Sequence, residues 1–140
     1  MVTRPRPNES SHYEPFWQKI AQGVITVEVC GRCNAPLPYG TLLCMDHGLK
    51  DVETHEIAAT GQIVTTTRIE RHPHPIFNEE APYTIGVVRE DRFGAMIYCR
   101  IEGILTGEEH HVNIKTKVYG DGVTLIVATP LNESTAMATN

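Results

Sequence analysis

The stretch CGRCNAPLPYGTLLCMDH, from Cys30 to His47, gathers three cysteines and a histidine into two short pairs, Cys-x-x-Cys and Cys-x-x-His. Thiolate sulfur and imidazole nitrogen are the donors zinc takes in tetrahedral sites, and Cys3His sets are ordinary. Two residues between donors make a tight knuckle whose side chains converge on one ion. Gly31 inside the first knuckle and Gly48 just after the second supply the backbone freedom such turns need. Cys30, Cys33, Cys44 and His47 are therefore the expected metal ligands; the alternative is a remnant that has lost its ion. Four protein ligands leave no open position for water or substrate, so the zinc would be structural. Iron could occupy the same site in a foreign host. The fourth cysteine, Cys99 in MIYCRI, lacks any local signature of a nucleophile and reads as a small strand hydrophobe.

The elements that must position these ligands are mostly strands. VITVEV, residues 24–29, is β-branched and leads into Cys30. After His47, VETHEIAA and GQIVTTTRIE read as one long strand bent at Gly61. YTIGVVRE, GAMIYCRIE, HVNIKTKVY and VTLIVAT follow as strands, with Gly120-Asp121-Gly122 as a hairpin turn. HPHPIFNEEAP, residues 72–82, is interrupted by three prolines and reads as a stiff exposed loop. Upstream, PFWQKIAQ suits a short helix with Pro15 in its first turn and Phe16, Trp17 and Ile20 on one face. That face either packs on the chain's own core or docks on a partner. The expected architecture is mainly β. A flexible arm (1–14) precedes an N-terminal helix and zinc ribbon (15–50), then a five-stranded OB-fold barrel (51–130) and a flexible tail (131–140).

Composition narrows the function classes. The chain has 140 residues, a net charge of -5 and no clustering of its twelve Lys and Arg. That balance argues against nucleic acid and anionic membranes as partners. The sequence has no apolar run long enough to span a bilayer, its polar start MVTRPRPNESSHYE has no apolar h-region and is not expected to be a secretory signal, and its thiols suit a reducing compartment, so the cytoplasm is expected. His72 and His74, with His110 and His111, lack a carboxylate or thiol at recognisable spacing and read as solvated loop histidines.

The order of these features, a PFW helix, a strand into CGRC, a second knuckle, then HPHPIF…PYTIGVV and YGDGVTL, resembles the domain-of-unknown-function family thirty-five, over about residues 15–130. His47 departs from the common four-cysteine pattern. The resemblance implies a rubredoxin-like zinc ribbon and OB-fold that serve as a non-catalytic subunit of a thiolase-superfamily enzyme. It further implies CoA or acyl-CoA as a ligand shared with that partner, the barrel covering part of the CoA site. On that reading Arg68, Arg71, His72 and His74 form the rim toward CoA, and Phe16, Trp17 and Ile20 attach the partner. The alternative is a ribbon-plus-OB module that binds single-stranded nucleic acid through aromatic platforms.

Overall fold

The computed structural model describes residues 14–37, 43–48, 51–103 and 111–131. The expected arm, apart from Glu14, and the tail beyond Leu131 lie outside the described residues, as does His110. Helix α1 spans Glu14–Ala21, with Glu14 in its first turn and Lys19 in its last, the signs that complement the helix dipole. Strand β1 (Thr26–Cys30) pairs antiparallel with β2 (Val52–Glu56), from Thr26 opposite Glu56 to Cys30 opposite Val52. The remaining strands are β3 (Thr60–Ile69), β4 (Tyr83–Glu90), β5 (Met96–Ile101), β6 (His111–Val118) and β7 (Thr124–Pro130). They close a barrel in the order β3-β4-β5-β7-β6, with β5 and β7 parallel and the other neighbours antiparallel. This is the five-stranded OB arrangement: mainly β, with a short N-terminal helix and a Cys/His cluster ahead of the barrel.

Strand alternation builds the core. Val88, Ile97, Val112 and Ala128 point inward from the barrel strands, and Ile25, Val27 and Val29 of the β1 segment join the same cluster with Ile20 of α1. Each such side chain is worth about 1.5–3 kcal/mol when fully buried. The helix and β1 are thereby fastened to the barrel. Near the knuckles, a second and much smaller cluster holds Cys30, Leu37 and Cys44, with Val52 against it.

Three expectations change. Residues 52–70 are not one strand bent at Gly61: β2 belongs with β1, the break falls at residues 57–59, and Gly61 lies inside β3. A Cβ at Gly61 would stand 2.5 Å from the Arg89 carbonyl oxygen, so close approach to β4 is what requires glycine there. The proline-rich segment is not a plain loop. It contains α2 (Pro75–Glu80), because Pro75 sits at the helix start and the His74 side chain accepts from the Ile76 N–H as the N-cap. Glu14 opens α1 rather than closing an arm.

The start of β3 is pinned by Asp91, just past β4. Thr60 Oγ1 donates to Asp91 Oδ2 at 2.6 Å, His111 Nε2 lies 3.0 Å from the same oxygen, and the Asp91 N–H donates to the Thr60 carbonyl at 3.0 Å. The Thr60 hydroxyl, and then His111, hold the Asp91 carboxyl below its usual value. A carboxylate depressed in the folded state stabilises the fold above its unfolded pKa, near 3.8, and that contribution is lost as pH falls through the folded value. Asp91→Asn is therefore expected to flatten the loss of stability below about pH 5. Thermal midpoints of both proteins across that window check this; parallel profiles would refute it.

Candidate functional site

The two knuckles bring the four expected ligands together. Their donor atoms all lie within 4.8 Å of one another. Cys30 Sγ and His47 Nδ1 are 3.4 Å apart, Cys44 Sγ and His47 Nδ1 3.6 Å, and Cys33 Sγ and Cys44 Sγ 3.8 Å. Tetrahedral zinc with ordinary bond lengths sets sulfurs about 3.8 Å apart and sulfur and nitrogen about 3.5 Å apart. A disulfide needs about 2.05 Å, and all the cysteines are free. The donor set and its spacing fit a metal ion such as zinc.

Local backbone produces that convergence. In the first knuckle Asn34 takes the left-handed conformation and donates its N–H to the Cys30 carbonyl at 2.8 Å. Gly31 works differently from the expectation: its φ is not left-handed, but a Cβ there would stand 2.6 Å from the Asp51 carbonyl oxygen. Gly48 has φ +76° and exchanges backbone hydrogen bonds with Cys44, as the second knuckle's turn requires. Backbone N–H groups of Cys33 and Arg32 aim at Cys30 and lower its thiol to about 6. The Ala35 N–H favours the Cys33 thiolate, but desolvation and the sulfurs of Cys30 and Cys44 outweigh it and hold that thiol above its ordinary value. Crowded thiolates of this kind call for a cation between them. Cys99 faces the barrel core, where burial pushes its thiol up to about 11.

The remaining expected residues divide. Ile20 has no exposed surface and packs into the chain's own core, so it is corrected from a partner contact to a core residue. Phe16 and Trp17 are half-buried against the same core, their rings edge to face at 5.2 Å. Arg68 is exposed and donates from Nε to Glu70 at 2.5 Å. Arg71 is exposed beside it. His72 and His74 are partly buried, their rings tilted against Phe77 at centroid distances of 4.9 and 5.5 Å. Each uses Nδ1 to accept a backbone N–H, from His74 and Ile76 respectively. An Nδ1 that accepts leaves Nε2 as the N–H donor each imidazole turns to its surroundings.

Sequence reasoning missed a cleft of 460 Å³ on the outer face of β3, β4 and β5. Its walls include Trp17, Phe77, Tyr83, Ile85, Tyr98 and Leu125, with Thr65 and Thr67 on one side. Among the described residues lining it, Arg100 is the one charged group. Its guanidinium lies over the Tyr83 ring at 4.2 Å and pairs with Glu80 at 3.3 Å. The available signal was the set of apolar residues at outward strand positions: Tyr98 is 78% exposed and Ile85 42%. Trp17 and the proline-rich segment, through Phe77, thus border one concave surface. OB-folds bind ligands on this kind of face.

No protein-family model and no curated protein matches the sequence. Among solved structures, a chain of the Ltp2-ChsH2(DUF35) aldolase matches with a TM-score of 0.73 and 23% identity, covering 92% of this chain and 100% of that one. The helix, Cys/His cluster and closed barrel together therefore have the fold of that aldolase's matched chain.

Proposed function

We propose that this chain is a non-catalytic, zinc-containing OB-fold subunit of a thiolase-like complex that processes a CoA thioester, its barrel covering or completing the CoA site of the catalytic partner. The observation that carries the reading is the fold match over the whole of a chain from an Ltp2-ChsH2(DUF35) aldolase, a name that contains the family the sequence resembles. Cys30, Cys33, Cys44 and His47 would hold one structural zinc. Arg68, Arg71 and the Nε2 donors of His72 and His74 would meet CoA phosphate or carbonyl oxygens at the rim. Phe16 and Trp17 would anchor the partner. Free thiols suit the cytoplasm as its compartment.

A second reading, single-stranded nucleic acid in the OB cleft, draws support from Trp17, Tyr83 and Tyr98 as stacking surfaces. The net charge of -5 and the Glu80 partner of Arg100 weigh against it. Co-expression of the chain with a thiolase-superfamily subunit from its own organism separates the two. The expected result is a stable complex by size-exclusion chromatography, which Trp17→Ala weakens at least tenfold without changing metal content. Absence of any complex, with salt-dependent retention on single-stranded DNA, would overturn the first reading in favour of the second. If Trp17→Ala instead unfolds the chain, Trp17 is core and the anchor assignment falls.

A further inference from the structure

The cleft carries information about the acyl group that the fold does not. β-Register places Thr65, Val87 and Tyr98 in one row across β3, β4 and β5, and Thr67, Ile85 and Arg100 in the next. Their alternates Val88, Ile97 and Cys99 are buried in the barrel. The outer face of these strands is thus a concave apolar surface, to which Trp17 of α1 and Phe77 of α2 add aromatic walls. Its 460 Å³ lies within the rough range of 300–1,000 Å³ typical of small-molecule pockets.

Charge decides what enters. The Arg100 side chain is 11% exposed, its positive charge is matched by Glu80, and its faces are taken by Tyr83 at 4.2 Å and Tyr119 at 5.3 Å. A ligand carboxylate entering the cleft would lose hydration and meet a cation already compensated. An apolar, uncharged tail loses nothing and covers Ile85 and Tyr98, which otherwise face water.

We propose that this cleft binds the apolar, uncharged tail of an acyl thioester, a long-chain or ring-bearing group, and so selects against short and dicarboxylic acyl groups. The proposal deepens the reading of the chain as a subunit acting on CoA thioesters and rests on it. Full burial of one methylene is worth roughly fourfold in affinity, so a tail of several methylenes outweighs an acetyl group even on a half-open surface.

Trp17 is the single tryptophan and lines the cleft, so its fluorescence reports occupancy directly. The experiment titrates the full chain with decanoyl-CoA, acetyl-CoA, glutaryl-CoA and free CoA, below the concentration at which decanoyl-CoA forms micelles. The expected result is a saturable emission change with decanoyl-CoA at a half-saturation at least tenfold below those of the other three. Ile85→Asp, on the exposed outer face, should raise that half-saturation at least tenfold while leaving metal content and thermal midpoint unchanged. Equal half-saturation for all four overturns the proposal and leaves the CoA reading intact. If S-decanoyl-N-acetylcysteamine, which lacks the nucleotide, binds as tightly as decanoyl-CoA, the proposal stands and the CoA reading loses its support. No saturable change with any thioester overturns it. In that case, protection of Tyr98 from nitration by the catalytic subunit would assign the face to protein contact.

Discussion

Cys33→Ser is expected to lose its metal and, with it, the order of the knuckle region, while the barrel persists. The small cluster near the knuckles contains three buried residues, and two of them, Cys30 and Cys44, belong to the Cys/His cluster that could hold the metal. Leu37 and Val52 alone cannot offset the backbone entropy of two knuckles at about 1–2 kcal/mol per ordered residue. Metal binding at the cluster would supply the difference, and in small zinc modules it contributes about 10–16 kcal/mol. Removing one of four ligands should lower zinc affinity at least about a hundredfold. Amide exchange in residues 30–37, 43–48 and 51–52 should approach unprotected rates in the variant or after chelation. Strands β4, β5 and β7 should stay protected, because their core of Val88, Ile97 and Ala128 draws nothing from the ion. Elemental analysis of the purified wild-type chain finding no stoichiometric metal would refute the account of this module. So would a Cys33→Ser protein with unchanged exchange.

Glu90→Ala is expected to cost about 3–5 kcal/mol, because it strands four backbone donors, one buried and three part-buried, at up to about 1–3 kcal/mol each. Glu90 is 1% exposed at the end of β4. Its Oε1 accepts the N–H groups of Phe93 at 2.7 Å and Ala95 at 3.1 Å; its Oε2 accepts those of Arg92 at 2.9 Å and Ala58 at 3.1 Å. One carboxylate therefore closes the turn between β4 and β5 and also holds Ala58, where the chain leaves β2 for the barrel. Glu90→Gln keeps one acceptor oxygen and should cost less. Urea unfolding of the three proteins measures the series. A loss below about 1 kcal/mol for the alanine variant would show that water replaces the carboxylate without difficulty.

Glu90 also explains where the sequence misleads. Nothing between Val52 and Ile69 except Gly61 looks like a break, so one bent strand was the natural reading. The break at residues 57–59 is set from a distance, by Glu90 on the Ala58 N–H and by the Asp91 N–H on the Thr60 carbonyl. No local propensity records a carboxylate thirty residues away. The opposite holds for β4, whose bounds, Tyr83–Glu90, coincide with the YTIGVVRE pattern because its alternation answers to its own burial. The convergence of Cys30, Cys33, Cys44 and His47 was legible because knuckle spacing is a local constraint. Helix α2 was hidden by its prolines, although Pro75 at the start of a helix is compatible with one; histidine is an unusual N-cap. The cleft was hidden because Ile85 and Tyr98 read equally well as ordinary strand residues, and only the register across three strands makes them one surface.

The central claim is that this chain completes an acyl-CoA enzyme whose chemistry resides in another subunit. The most direct test measures steady-state turnover of one acyl-CoA thioester by the purified chain, by the thiolase-superfamily partner, and by the two combined. The account predicts no turnover by the chain alone and at least a tenfold gain in kcat/KM when it is added to the partner, saturating at a fixed stoichiometry. Turnover by the chain alone, with partner contamination excluded by mass spectrometry, would contradict it, as would a partner whose kcat/KM does not change when the chain is added.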